Sequence, residues 1–256
     1  LFVPTKPFIN RRFPLGFPGF DPLPWRKHAF TLNNIGTASV YELNPVATLN
    51  VPSSIAAGSL IIITAYYNNN DKAPTASDTK SNVYHTAESE SIGGPNESIF
   101  IFYCYNSIAL TTSDSISVSV AATAAGEYVD FAASYATGIM SASNPLDATG
   151  SATGSGTSAS VTSSAPATAG DLFIGYAIVP AGSVTFTQAS GWATPPNNSS
   201  VNSGTEIAGN LTNASATTKT YAPSWTGTKT WMCLIASFSP PSLLVPFKPT
   251  KTYLRR

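Results

Sequence analysis

An all-β fold, an antiparallel β-sandwich of jelly-roll type, is what this sequence predicts, and three observations carry the prediction. Apolar residues recur with period two: Ser115-Ile116-Ser117-Val118-Ser119-Val120 alternates without a break, the pattern of a half-buried strand. Only 10% of the 256 residues are charged, against about 25% in ordinary soluble proteins. Ser, Thr, Asn and Gly, all mediocre or poor helix formers, fill much of the gap. Finally, turn-forming residues punctuate the chain at short intervals, and no strong helix signal lies between them.

The elements follow in order. Apolar, β-branched and aromatic runs of strand length occur at Ser59–Tyr67, Ser98–Tyr105, Ser115–Val120, Glu127–Tyr135, Asp171–Val179 and Thr230–Phe238. Weaker strand patterns occur at Ala29–Asn33, Ser39–Leu43, Val46–Val51, Asn82–Thr86, Ser158–Ser163, Val184–Gln188, Glu206–Asn210 and Thr217–Tyr221. Turns are expected at Ala57-Gly58, Asn68–Asp71, Gly93-Gly94-Pro95, Ala169-Gly170, Ala181-Gly182 and Pro195–Asn198. The segment Val51–Ile62 recurs loosely as Ser163–Ile174: each has a Pro, an Ala-rich turn, then Gly, a polar residue and Leu. The match is short, and it is read as a common way to enter a strand rather than as two similar halves. No run of 18 apolar residues is present, which excludes a membrane-spanning helix. Pro4, Pro7, Pro14 and Pro18 interrupt any signal-peptide core near the first residue.

The net charge is zero, 13 basic against 13 acidic residues, but the two signs are separated. Residues 1–27 hold Lys6, Arg11, Arg12, Arg26 and Lys27 against Asp21, a balance of +4. Residues 240–256 hold Lys248, Lys251, Arg255 and Arg256 and no acid, again +4. The body between them, 28–239, has 4 lysines and 12 acids, or −8. Ten of the 20 prolines lie in the two ends. Proline fixes φ and lacks an amide donor, so these ends are expected to be extended arms, neither helix nor central strand. They also carry aromatic residues that would aggregate in water unless docked. The expected partner-binding residues are Phe8, Arg11, Arg12, Phe13, Phe17, Phe20 and Trp25 in the first arm, with Phe247, Lys248, Tyr253, Arg255 and Arg256 in the second. Opposite signs on arms and body point to protein assembly, in copies of this chain or with other subunits, rather than to nucleic acid.

No catalytic constellation stands out. Gly154-Ser155-Gly156-Thr157-Ser158-Ala159 has the letters of a dinucleotide fingerprint, but sits in a Ser/Thr/Gly tract without the strand and helix that the motif needs. His85 near Glu88 and Glu90 reads as a structural histidine. The acids Asp114, Glu127, Asp130 and Asp147 are scattered, and the oxygen-rich loop Asn68–Asp78 lacks the spacing of a calcium loop. The expectation is therefore no enzyme, no metal and no cofactor. Cys104 and Cys233 lie in apolar runs and read as buried free thiols, with one bridge between two sheets as the alternative. Trp192 and Trp225 lie near turns and are the candidates for stacking on a surface glycan.

Ser134-Tyr135-Ala136-Thr137-Gly138, then Asn144–Gly154, then Ala169–Gly175 and the later Gly191-Trp192 resemble β-sandwich domains of bacteriophage virion proteins and bacterial surface proteins. In those, Y-S-G and P-L-D-A-T-x-S precede G-D/E-L-x-V/I-G. The resemblance spans residues 50–238 and rests on turn-and-strand motifs. It implies a structural role in a virion, or else an extracellular or cell-surface role as an adhesin or carbohydrate-binding module, with no catalytic residue to carry over. The arms are not part of it. They lead to the expectation of a virion subunit that decorates or cements a capsid, or builds a tail or fibre, as a trimer or another symmetric homo-oligomer away from any membrane.

Overall fold

Alternation in sequence becomes alternation in burial: Ser115–Ser119 buries Ile116 and Val118 and leaves its three serines half-buried. The computed structural model describes residues 30–69, 72–93, 96–121, 126–137, 143–164, 169–180, 183–195, 205–212 and 215–240. The arm residues singled out above, from Phe8 to Trp25 and from Phe247 to Arg256, lie outside the described residues, as does His28.

The described residues form strands and no helix. In chain order these are β1 (Thr31–Glu42), β2 (Val46–Asn50), β3 (Leu60–Tyr67), β4 (Thr75–Asp78), β5 (His85–Ile92), β6 (Glu97–Cys104), β7 (Ser115–Ser119) and β8 (Glu127–Thr137). Then follow β9 (Leu146–Ser158), β10 (Val161–Thr162), β11 (Leu172–Val179), β12 (Thr205–Thr212), β13 (Thr220–Tyr221) and β14 (Ser224–Phe238). Every pairing is antiparallel. The sheets are β2-β7-β4, β1-β8-β3-β6-β5, β12-β11-β14-β9 and β10-β13.

Three apolar layers bind these sheets into a stack. The first holds Ile61, Ile63, Phe100, Phe102 and Phe131 of the five-stranded sheet against Ala47, Ile116 and Val118 of the three-stranded one. The second holds Leu60, Ile62, Tyr66, Ile99 and Ile101 against Leu172, Ile174, Tyr176, Met232 and Leu234 of the four-stranded sheet. The third holds Phe173, Cys233 and Ile235 against Val161 and Tyr221 of the two-stranded sheet, together with Trp192 and Trp225. Both larger sheets are thus covered on both faces, which is why β3, β6 and β11 are buried at every residue and read as continuous apolar runs.

The two halves repeat one topology. The order β1-β8-β3-β6 of the first is matched by β9-β14-β11-β12 of the second, and the pair β2-β7 by β10-β13. The first half adds β4 and β5 between the equivalents of β11 and β12. The related segments Val51–Ile62 and Ser163–Ile174 enter the equivalent strands β3 and β11 through Gly58 and Gly170, at φ 78° and 92°. They therefore mark two similar halves, contrary to the reading from their short match. So few positions are shared because only the turn glycine and the buried start of the strand are physically constrained.

Other boundaries moved as well. Ala29–Asn33 and Ser39–Leu43 belong to one strand, β1, which continues through a register shift between Asn34 and Gly36. Val184–Gln188 forms no strand; Thr187 makes only an isolated bridge to Ser224. The Ser/Thr/Gly tract is the long edge strand β9, which lacks the β-branched apolar residues that advertise a strand.

Tyr221 shows how the glycines fit. Gly175 of β11 and Gly209 of β12 are register partners, and the buried Tyr221 ring lies over both, where any Cβ would collide with it. Gly175→Val should destabilise the protein by about 3 kcal/mol, because the ring has nowhere to move. The check is urea unfolding, with Gly93→Val as control, since a Cβ at Gly93 meets nothing within 4 Å.

Candidate functional site

The arms are the most distinctive chemistry in the sequence, and the described residues fix where they are rooted. At the start of β1, Leu32 pairs with Ala136, which also pairs with Leu60. At the end of β14, Phe238 pairs with Leu172 and with Leu146. Tyr103 joins these ends across the second apolar layer: its ring centroid is 5.3 Å from that of Phe238, and its hydroxyl donates to Asn144 Oδ1 at 2.9 Å. Phe30 packs against the same layer. Both basic segments therefore leave the body from one end of the stack.

Burial redistributes the body charge. Of its 12 acids, Glu97, Asp114, Glu127, Asp130, Asp171 and Glu206 are buried. Glu42, Asp78, Glu88, Glu90 and Asp147 remain at least partly exposed, against Lys72, Lys80, Lys219 and Lys229. The sequence balance of −8 is thus not a surface charge of that size. No arithmetic on composition separates a buried carboxyl from an exposed one.

Trp192 and Trp225 are 8% and 6% exposed. Trp192 Nε1 donates to the Thr220 carbonyl at 3.1 Å, and its ring centroid is 4.7 Å from that of Tyr221. Trp225 meets Phe186 edge-on at 5.4 Å. A sugar stacks on an open aromatic face, and neither indole presents one in this arrangement.

The other polar candidates occupy separate places. His85 lies against the rings of Tyr103 and Tyr105, at 5.4 and 5.5 Å, and those two rings are 6.2 Å from each other. Glu127 and Asp130 point to opposite faces of β8: Glu127 accepts from Tyr67 Oη at 2.5 Å and Asn69 Nδ2 at 2.9 Å, while Asp130 faces the four-stranded sheet. Asp78, at the end of the oxygen-rich loop, accepts from Lys80 N, Asn82 N, Asn82 Nδ2 and Tyr84 Oη, which places it as an organiser of the following turn. Cys104 and Cys233 are free and buried, in the first and third layers. Among the described residues, no three His, Cys, Asp or Glu side chains are grouped so as to hold a metal ion.

One polar grouping was missed from sequence. Glu97, Asp130 and Glu206 are buried around Tyr66 and Tyr176. Asp130 pairs with Tyr66 across β8 and β3, and Glu206 lies beside Tyr176. Burial pushes the Glu97 carboxyl up to about 7, opposed by a hydrogen bond from Tyr66. It pushes Asp130 up to about 6, opposed by one from Ser39. Its only signal in sequence is an acid inside an apolar run, as in Glu127–Tyr135.

No family model matches this chain, and no similar curated protein or solved structure was found.

Asp114 shows the opposite electrostatic behaviour. It accepts from Thr111 N, Thr111 Oγ1 and Thr79 Oγ1, each at 2.8 Å, and Lys80 Nζ lies 3.3 Å away. The Thr111 amide foremost, then these hydroxyls and the ammonium, hold its carboxyl well below the usual range. A pKa lowered on folding contributes stability above the unfolded value, which is lost as pH falls through the folded one. Asp114→Asn should therefore lower Tm at neutral pH and flatten its fall below about pH 4. Thermal unfolding followed by circular dichroism across that range checks both effects.

Proposed function

We propose that this chain is a non-enzymatic structural protein of a virus particle, a phage in particular, that decorates or cements the capsid or forms part of its tail or fibre. The observation that supports the reading is that the described residues nearest the two basic, aromatic, proline-rich segments, Phe30 and Phe238, lie at one end of the β body. Anchoring at one end leaves the rest of the stack to project. The strand orders β1-β8-β3-β6-β5 and β2-β7-β4 support a jelly-roll reading in all but β5, which pairs with β6 rather than with β4; jelly rolls are used by viral capsid and lectin domains.

The mechanism is docking. Twelve charged or aromatic positions of the arms, Phe8, Arg11, Arg12, Phe13, Phe17, Phe20, Trp25, Phe247, Lys248, Tyr253, Arg255 and Arg256, supply the anchors. Aromatic and Arg side chains dominate binding energy where they fill pockets on a partner, and the basic charge steers the encounter. Because half of the body's acids are inside, the acidic partner surface is assigned first to other virion proteins and second to copies of this chain.

A second reading, an extracellular adhesin or carbohydrate-binding module, is favoured by a cleft of about 210 Å³ beside β5 and β6. Lys72, Ser89, Glu90, Ser91 and Ser98 surround it, and Phe100 forms part of its wall. Hydroxyls and one charge of each sign suit the hydroxyl groups of a neutral sugar, with the buried Phe100 closing the wall rather than offering a stacking face. Glycan-array binding that disappears in Ser91→Trp would establish this reading, and an array with no signal would remove it.

For the first reading, the full chain is compared with one trimmed to residues 28–239. Light scattering should show an oligomer, or complexes with particle proteins, for the full chain alone. The trimmed chain should be monomeric with an unchanged unfolding curve. Association should weaken steeply between about 0.1 and 1 M salt, where the Debye length falls from about 10 to 3 Å. Normal assembly of the trimmed chain would overturn the proposal.

A further inference from the structure

The seam between the five- and four-stranded sheets is apolar at the end where the arms are rooted and acidic at the other. At the arm end lie Leu60, Leu172, Ala236 and Phe238. At the far end, β6 contributes Glu97, β8 Asp130 and β12 Glu206, with Tyr66 from β3 and Tyr176 from β11 between them. We propose that this far end is a proton-operated latch: the two halves of the body close tightly while Glu97 and Asp130 hold protons, and part there when these two carboxyls ionise.

The neighbours decide the direction. Ser39 of β1 faces Asp130, Tyr66 faces Glu97 and Asp130, and Met232 of β14 lies in one register row with Ile178 and Glu206. The partners of Glu97 and Asp130 are hydroxyls, and no cation is among them. Glu97 Oε2 and Asp130 Oδ2 have no hydrogen-bond partner among the described residues. The body contains only four lysines, and Lys80 is engaged by Asp114. An ionised Glu97 or Asp130 is therefore a buried charge with no opposite charge beside it among the described residues, which is costly, and neighbouring like charges add to the cost. Both carboxyls have pKa values raised on folding, so the stability they contribute is full below about pH 4, their unfolded range. It is lost as pH rises through about 6 for Asp130 and about 7 for Glu97. Loss of the proton to solvent is the only chemical step. The latch does not depend on the arms, so it stands or falls separately from the assembly reading.

Met232 is a built-in reporter, fully buried at this end of the seam. The full-length protein is treated with hydrogen peroxide at pH 5 and pH 8, below its unfolding temperature. Sulfoxide at Met232 is then quantified by peptide mass spectrometry, with free methionine as the reference. Oxidation of Met232 should be at least about tenfold faster at pH 8, the factor given by one pKa unit of coupling. The Glu97→Gln/Asp130→Asn double variant should oxidise slowly at both pH values. If that variant does not fold, Glu97→Gln alone should reduce the pH effect. Equal rates for the natural sequence at the two pH values, or an undiminished pH effect in the folded variant, would overturn the proposal.

Discussion

The contact on which the rest of this structure depends is the face-to-face packing of the five-stranded sheet on the four-stranded one. Each half covers one face of its larger sheet with a smaller sheet. That leaves the outward apolar residues of β3 and β6, and those of β11 and β14, in need of a second cover. Each half supplies it for the other. Burying side chains such as Ile62, Ile101, Ile174 and Leu234 contributes about 1.5–3 kcal/mol apiece relative to exposure. Among the described residues, this contact is what joins the two similar topologies.

That seam also fixes the polarity of the molecule. Its apolar end is where β1 begins and β14 finishes, so the two basic ends of the chain join the body at one pole. Its acidic end gathers carboxyls that are buried rather than presented to a partner. Net charge by segment is thus a weak guide here to what a partner would meet. The arms remain basic in either description, whereas the body is much less acidic outside than its composition implies. An anchor that relied on attraction between copies would find few exposed acids to engage.

Legibility in the sequence followed burial. Runs such as Leu60–Tyr67 and Leu172–Val179 announce themselves because strands covered on both faces must be apolar at every position. β7 announces itself by alternation because only one of its faces is covered. β9 is silent because Gly and Ser are weak strand formers, and its Gly154 is required by the Trp231 ring lying against it rather than by any local preference. Trp192 follows the turn at Ser190-Gly191 and Trp225 lies in β14, and the environment of each depends on a residue well separated in the chain, Tyr221 and Phe186. Closeness to a turn in sequence does not determine whether an indole is solvated.

By itself, the sequence determined the all-β class, the main strands, and two basic proline-rich ends flanking a body of lower charge density. Those properties are set locally, by period, propensity and composition. Only the tertiary structure decided that the halves share a topology, that they close on each other, that six acids lie inside, and that both ends leave from one pole. Each of these is a relation between strands distant in the chain. It is fixed by which apolar faces find each other, and no single segment carries that information.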